Sequence, residues 1–593
     1  MHIRYYVNLL NYFLNTLGNL IDMKPQEIDS IYNELREDFA IIGLTGALGS
    51  GCTTSAKILS NALDNNFFKT FSDHYLSDIS NKSSLEEYRL KKIETFINNK
   101  TWKSFYHLKV SNLLYCIFFN HTSKIYCDDF QTLDWFKNHN NIIETQKLCT
   151  KIVSLIMEPN GNKKTKDNRE LSESLIELDN NIKINVIKNS NYTKDFQKIG
   201  ELLRENGLKE FINFSNKTST QPSNNVFAIS EFVKNTIQHL RNEGHAFFVL
   251  DALRNLHEIN YFKARYSNFY LFSVQADEPI RKQRLLNEFG YKEQDYEAIK
   301  KNELNKNKNH SQNINACLSN GDVFISNNQN HEEYLKYQLI KYVCLMRKPG
   351  LFTPTKDERN MQIALTARYN SGCISRQVGA CVVGKDGYIL GIGWNDVPEN
   401  SIPCVYRSSK SLILHNNSSP EFSAYETSDI FKNYIRNEIG SNDHPFCFKD
   451  LENKRVGKQE IATFKQVTGI EISSLDETTL IKKLKNPTRE RALHAEENAF
   501  LQSAKVGGGS LKHSTLYTTA SPCQLCAKKA MQLGISRIIY IDAYPDISNE
   551  QTLKSGNSDK WPKVEAFIGV AESAFMKLYK PLINIKDEVE SHY

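Results

Sequence analysis

The sequence predicts two successive α/β domains, and three observations point to them. First, the 593 residues exceed what one core organises, since domains run to roughly 100–200 residues. Second, the apolar run FAIIGLTG passes through a Gly-rich turn into the helical TTSAKILSNAL, giving strand, loop and helix in the order a phosphate-binding loop requires. Third, beyond the Pro- and Gly-bearing stretch MRKPGLFTPTKDER, strand-like and helix-like runs alternate, which predicts a sheet covered by helices on both faces. The expected boundaries are a helical segment over 1–40, a phosphate-loop domain over 41–345 and a second domain over 350–593.

From the N-terminus, MHIRYYVNLLNYFLNTLGNLI carries Arg4, Asn8, Asn11, Asn15 and Asn19 at helical spacing. This reads as a packing helix with one polar stripe rather than a targeting signal. Met23 is a second candidate start. The loop itself, GLTGALGSGCTTS, follows G-x-x-x-x-G-K-[ST] at Gly46, Gly51 and Thr53, with Cys52 in the lysine's place. Backbone amides around Gly46, Gly49, Gly51 and Cys52, with the hydroxyls of Thr53 and Thr54, suffice to hold a nucleotide with magnesium, while the missing lysine removes a charge used in phosphoryl transfer. A regulatory nucleotide site and a scaffold that binds nothing are both open. Further on, an apolar strand ends at Asp251, and a second strand-like run, NFYLFSVQA, precedes Arg281 and Arg284, three apart on a helix. By themselves these are equally a strand-end carboxylate and two exposed arginines.

In the second domain the expected order is helix (ERNMQIALTARYN), hairpin turning at Asp386 and Gly387 (VGACVVGKDGYILGIGWN), helix (RALHAEENAFLQSAK), strand (STLYTTA), helix (CQLCAKKAMQLG), strand (SRIIYIDA) and helix (KVEAFIGVAESAFMKLY). Hydrophobic residues at 40% and charged ones at 24% exclude a globally disordered chain. The net charge of +6 permits a polyanionic partner without requiring one. The twelve cysteines form no short, even framework, and Cys381 lies inside the apolar VGACVVG. A reducing, cytoplasmic setting with a metal site is the better reading, and no apolar run reaches the roughly 18 residues of a membrane span.

His494, Cys523 and Cys526 are the candidate metal ligands. One imidazole and two thiolates fill three corners of a zinc tetrahedron and leave the fourth for water, whose pKa the metal brings toward neutrality. Glu496, two residues from the histidine, can face that water without ligating the metal and move its proton. A four-ligand structural zinc would need another thiolate or imidazole nearby, and a redox pair would not need the histidine.

HAEEN followed by SPCQLC resembles the H-x-E…P-C-x-x-C signature of zinc-dependent deaminases, and SGCISRQVGACVV with GIGWNDVP is similar to the deoxycytidylate deaminase branch. That resemblance implies a cytidine deaminase-like αβα sandwich, with Asn395, Arg376 and Ala495 binding substrate, Asn395 at the sugar and Arg376 toward the phosphate. Asn395 as a turn cap and Arg376 in a surface ion pair remain alternatives. Tyr544 is a further candidate for packing on the nucleotide. Two departures from the branch stand out: Ser521 where many relatives carry glutamate, and an insertion over 399–488. Cys373, Cys404, His444 and Cys447 are candidates for a second, structural zinc of the kind some members bind.

The N-terminal domain resembles the P-loop nucleotide kinases. The resemblance implies that Asp251 organises magnesium and that Arg281 and Arg284 contact phosphates. The order of the two domains resembles the bacterial antiphage deoxycytidine deaminases of the AvcD type. This implies conversion of dCTP and dCMP to deoxyuridine nucleotides, depletion of the pool a phage needs, a small inhibitory RNA and a homo-oligomer. Two other readings compete: a deaminase acting on cytosine within RNA or single-stranded DNA, and a nucleotide- or RNA-binding regulator with an inert deaminase fold.

Overall fold

The computed structural model describes residues 31, 38–64, 67–68, 71, 84–100, 102–121, 142–157, 169–185, 192–208, 222–303, 311–328, 332–414, 420–440, 442–484, 486–507, 509–543 and 548–586. Tyr544 and most of the 1–40 segment expected as a helix lie outside the described residues. Among those described, no helix is long and apolar enough to cross a membrane, and the cysteines are free.

The chain forms two compact units. The first is built on parallel strands. β1 (Ala40–Thr45), β2 (Tyr106–Lys109), β3 (Phe247–Asp251), β4 (Phe269–Gln275) and β5 (Val323–Ser326) lie in the order β5-β4-β1-β3-β2. A parallel strand covered on both faces must be apolar throughout, which is what AIIGLT and FFVLD supply. Ile41, Phe248 and Leu250 enter one core, and Ile42, Leu44, Val249 and Phe272 the other. This two-residue alternation divides the buried side chains between the two faces. Helices named below in this unit are α1 (Cys52–Ser60), α2 (Glu278–Asn287), α3 (Glu293–Glu303) and α4 (Glu332–Arg347).

The second unit, Thr355–Phe567, has a five-stranded sheet of β6 (Gly379–Val383), β7 (Ile389–Trp394), β8 (Thr515–Ala520), β9 (Arg537–Asp542) and β10 (Lys563–Ala566), in the order β10-β9-β8-β6-β7. β6 and β7 form the expected hairpin, with Gly387 at φ 86° in its turn. The long α5 (Lys356–Arg368) opens with a capping box of Thr355 and Glu358, which satisfies the helix's first free amides. The insertion folds into helices, including α6 (Asp429–Ile439) and α7 (Phe448–Thr468), around a small core of Leu412, Phe422, Phe431, Ile435 and Phe446. α8 (Ala495–Lys505) and α9 (Gln524–Leu533) pack on one sheet face through Ala495, Ala499, Ala527 and Ala530, while α5 lies against Gly379, where a Cβ would come within 2.0 Å of Ala364 O.

The C-terminal end departs from expectation. The sequence KVEAFIGVAESAFMKLY, expected as one helix of the second domain, divides into β10, β11 (Gly569–Val570) and α10 (Glu572–Tyr579). β10 pairs in parallel with β9, and Gly569 turns at φ 142°. β11 then pairs antiparallel with β5, so the described residues from Ile568 onward belong to the first unit and not to a second domain running to 593. The apolar spacing resembles a helix because Val564, Phe567 and Val570 fall three apart. The backbone is extended because two sheet edges, β9 and β5, take its hydrogen bonds.

Candidate active site

The second unit's site begins with two glycines. A Cβ at Gly393 would lie 2.2 Å from Ala495 O, and one at Gly391 would lie 2.2 Å from Ala499 O. GIGWN therefore lets the backbone of α8 rest directly on β7. This fixes the start of α8, where His494 is the N-cap residue, while Cys523 caps α9 and Cys526 lies in its first turn. Two helix N-termini, each carrying unsatisfied amides and partial positive charge, thus bring the three ligand candidates together.

His494 Nδ1 lies 3.3 Å from Cys523 Sγ and 3.4 Å from Cys526 Sγ, and the three ligand atoms all fall within 4.8 Å of one another. A tetrahedral zinc with usual bond lengths sets N···S edges of about 3.5 Å, so the residues fit that ion. Contact with Cys526 first, and with His494, holds the Cys523 thiol down to about 4, while the Cys526 thiol is pushed up by Cys523 and by burial. Cys523, then Glu490, raises His494 to about 10. Glu496 is 4% exposed, and burial pushes its carboxyl above the usual carboxylate range.

His494, Cys523, Glu490 and Glu496 line a cleft of about 190 Å³ that also takes in Asn395, Arg376 and Ala495. Asn395 is buried, with Oδ1 accepting from Val378 N (2.6 Å) and Nδ2 donating to Arg376 O (2.6 Å). Its amide pins the wall that Arg376 and Val378 form, leaving one donor and one acceptor site over. Arg376 pairs with Asp542. Among the lining residues that the sequence did not single out, two are charged. Glu490 faces His494 Nε2, and Lys449 reaches in from the insertion. The signal for Glu490 was its position four residues before His494 on ERALH. No comparable signal marks Lys449. Among the described residues His494, Cys523 and Cys526 are the group able to hold a metal. Cys373, Cys404, His444 and Cys447 do not assemble into a second one; Cys404 Sγ is instead 3.7 Å from Arg491 Nη1, and Cys447 caps α7.

In the first unit, the Gly46-to-Gly51 loop joins β1 to α1 where the strand order reverses, the place at which open α/β sheets bind ligands. Gly46 has no room for a side chain: a Cβ would meet Ser50 Oγ at 2.3 Å and Val274 O at 2.6 Å. Gly49 and Gly51 adopt φ 82° and 104°, and Thr53 and Thr54 are exposed. Cys52 is buried, which, with Asp251 nearby, pushes its thiol up to about 12. The loop already has partners. Leu48 N donates to Glu303 Oε1 (3.0 Å), which also accepts from Arg254 Nη1 (2.7 Å). Arg281 Nη1 donates to Leu48 O (3.2 Å), Arg284 Nη2 to Asn327 O (2.9 Å), and Asn327 Nδ2 to Ser50 O (2.8 Å). The two arginines expected at phosphates thus bond loop-side carbonyls. Asp251 Oδ2 faces His107 Nε2 at 3.1 Å, and its Oδ1 has no hydrogen-bond partner among the described residues.

Residues 354–542 match the family described as cytidine and deoxycytidylate deaminase zinc-binding region. The deoxycytidylate deaminase of Enterobacteria phage T4 is 27% identical over 189 residues, 31% of this chain and 76% of that protein. The deoxycytidylate deaminase of Enterobacteria phage T2 is 25% identical over 227 residues, 35% of this chain and 96% of that protein. The crystal structure of dCMP deaminase from the cyanophage S-TIM5 in complex with dCMP and dUMP aligns over 36% of this chain and 99% of its own at 22% identity, with a TM-score of 0.20. The matched segment contains the β6–β7 hairpin, α8, α9 and all three ligand candidates, so the second unit is similar to the deoxycytidylate deaminases and the chain is a hydrolytic deaminase.

Proposed function

We propose that this chain hydrolyses the 4-amino group of deoxycytidine nucleotides, dCMP and dCTP, giving dUMP and dUTP. The observation that carries the reading is the convergence of His494 Nδ1, Cys523 Sγ and Cys526 Sγ, with His494, Cys523 and buried Glu496 lining one cleft. Zinc held there supplies a Lewis acid that makes water nucleophilic near neutral pH. Glu496 takes one proton from the water as its oxygen attacks C4 and passes it to ring N3; it then takes the second proton from the new C4 hydroxyl and gives it to the amine as the C4–N bond breaks, so ammonia leaves and a C4 carbonyl remains. A raised carboxyl suits a group that must both accept and return a proton. Asn395 holds the 376–378 wall and presents its remaining amide valences to the sugar. Arg376 can turn from Asp542 to the phosphate, and Ala495 backs the base.

The wider reading rests on the order of the two domains. Depletion of dCTP starves an invading phage, a small RNA holds the enzyme inactive beforehand, the enzyme is a cytoplasmic homo-oligomer, and the first unit is a P-loop kinase-like regulatory domain binding a nucleotide with magnesium. What supports the last point is the parallel β2-β3-β1-β4-β5 order with a Gly-rich turn after β1, the half-unpartnered Asp251 at the end of β3, and the missing lysine at Cys52.

Purified protein is to be given dCMP, dCTP, CTP and cytidine separately, with no polymer present, and ammonia and nucleotide products measured. The expected result is deamination of the deoxynucleotides, lost in Glu496→Ala and after zinc chelation. A zinc-loaded protein that converts no mononucleotide but deaminates an oligonucleotide would replace this reading with the polynucleotide one.

A further inference from the structure

The insertion over 399–488 reaches the metal ligands through two side chains that the deaminase signature does not contain. His494 has two ring nitrogens with different tasks. Nδ1 faces the two cysteine sulfurs, and Nε2 lies 3.4 Å from Glu490 Oε2. The other oxygen of Glu490 lies 3.2 Å from Lys449 Nζ. Lys449 is the second residue of α7, so the contact joins the insertion to the ligand set.

Glu490 has no helix or strand of its own, since it follows the short 3-10 turn Pro487–Arg489. A carboxylate on irregular backbone orients a neighbour only if something fixes it, and α7 does so twice. One turn beyond Lys449, on the same helix face, buried Asn453 accepts from Asn486 N (3.0 Å) and Arg489 Nη1 (2.8 Å) through Oδ1 and donates to Asn486 O (3.3 Å). Asn453 therefore anchors the backbone that carries Glu490, and Lys449 anchors its carboxylate. An imidazole whose Nε2–H is given to a carboxylate has its lone pair on Nδ1, the tautomer and ring orientation that a metal needs here.

We propose that Lys449 and Glu490 are positioning residues for His494, so that the insertion is a structural part of the metal centre and metal retention depends on it. The proposal rests on the zinc deaminase reading and extends it to residues the signature does not contain. A carboxylate behind a metal-bound histidine typically contributes 10–100-fold in metal affinity. Lys449 acts one step further out, so its effect is smaller and runs through Glu490.

The test is zinc affinity of the full-length protein, by equilibrium competition with a chromogenic chelator, with the melting temperature of each zinc-stripped protein as the control for folding. Glu490→Ala is expected to weaken zinc binding by about 10–100-fold, with Glu490→Gln in between because an amide oxygen still accepts from Nε2. Lys449→Met is expected to weaken it less. The Lys449→Met/Glu490→Ala double variant should match Glu490→Ala alone, because the lysine has nothing left to orient. Wild-type affinity in Glu490→Ala and Lys449→Met would overturn the proposal while leaving the zinc site intact. Additive losses, or losses matched by an equal fall in the melting temperature of the zinc-stripped protein, would also overturn it, making both residues general scaffold. A wild-type protein that binds no zinc would overturn this proposal and the zinc deaminase reading together.

Discussion

Glu496 and Asn395 line the same cleft and are buried to similar degrees, yet their surroundings assign them different work. Glu496 projects from the first turn of α8, two residues after His494, and burial raises its carboxyl above the usual carboxylate range. Glu496→Gln keeps the shape and removes the proton carrier. Turnover should fall by at least about 100-fold with zinc content unchanged, as measured by steady-state kinetics beside metal analysis. Asn395 spends its amide on Val378 N and Arg376 O. Asn395→Ala leaves two partly buried backbone groups without that partner, so it should cost about 1 kcal/mol of stability and raise KM. Denaturation midpoints and a KM-against-kcat comparison separate the two effects. GIGWNDVP marked the asparagine, but the bonds it makes to 376–378, 17 and 19 residues upstream, appear only in the folded wall.

At the scale of elements, the placement of α8 depends on the absence of side chains at Gly391 and Gly393. Gly393→Ala drives a methyl against Ala495 O, next to both His494 and Glu496. The strain should cost about 1–3 kcal/mol and reduce kcat more than KM, which thermal melting and kinetics will check. In the other unit, the loop between β1 and α1 holds the Glu303 carboxylate on Leu48 N, although burial makes that carboxylate costly and Arg254 must offset it. A polyphosphate entering the loop competes for that amide. If the loop binds nucleotide, Glu303→Ala should bind a magnesium nucleoside triphosphate about 10-fold tighter than wild type, which is about 1.4 kcal/mol. Equal affinities by calorimetry would mean that Glu303 does not obstruct the loop. The strand–loop–helix sequence was legible because Gly46, Gly49 and Gly51 are close together in the chain. The glutamate that meets the loop lies 255 residues away, and no local pattern connects them.

For the whole molecule, the C-terminal segment matters most. After β10 completes the second unit's sheet, β11 pairs with β5, and α10 buries Ala574 and Leu578 in the core of the first unit with Leu335, Leu339 and Val343 of α4. Truncation after Phe567 would expose the β5 edge and part of that core. Hydrogen exchange should rise in β5 and α4, with β6, β8 and β9 keeping wild-type protection. A uniform loss of protection in both units would contradict this division. The sequence by itself determined the alternation of strands and helices, the Gly-rich turn after β1, the hairpin at Asp386 and Gly387, and the His494, Glu496, Cys523 and Cys526 set, because each is written in neighbouring residues through periodicity, turn chemistry or ligand spacing. Only the tertiary structure decided that Glu303 meets Leu48, that Lys449 of the insertion meets Glu490 behind His494, and that the segment from Ile568 onward returns to the first sheet. Those contacts join residues far apart in the chain, and they are selected by which buried amide, ring nitrogen or strand edge still needs a partner once the local elements have formed.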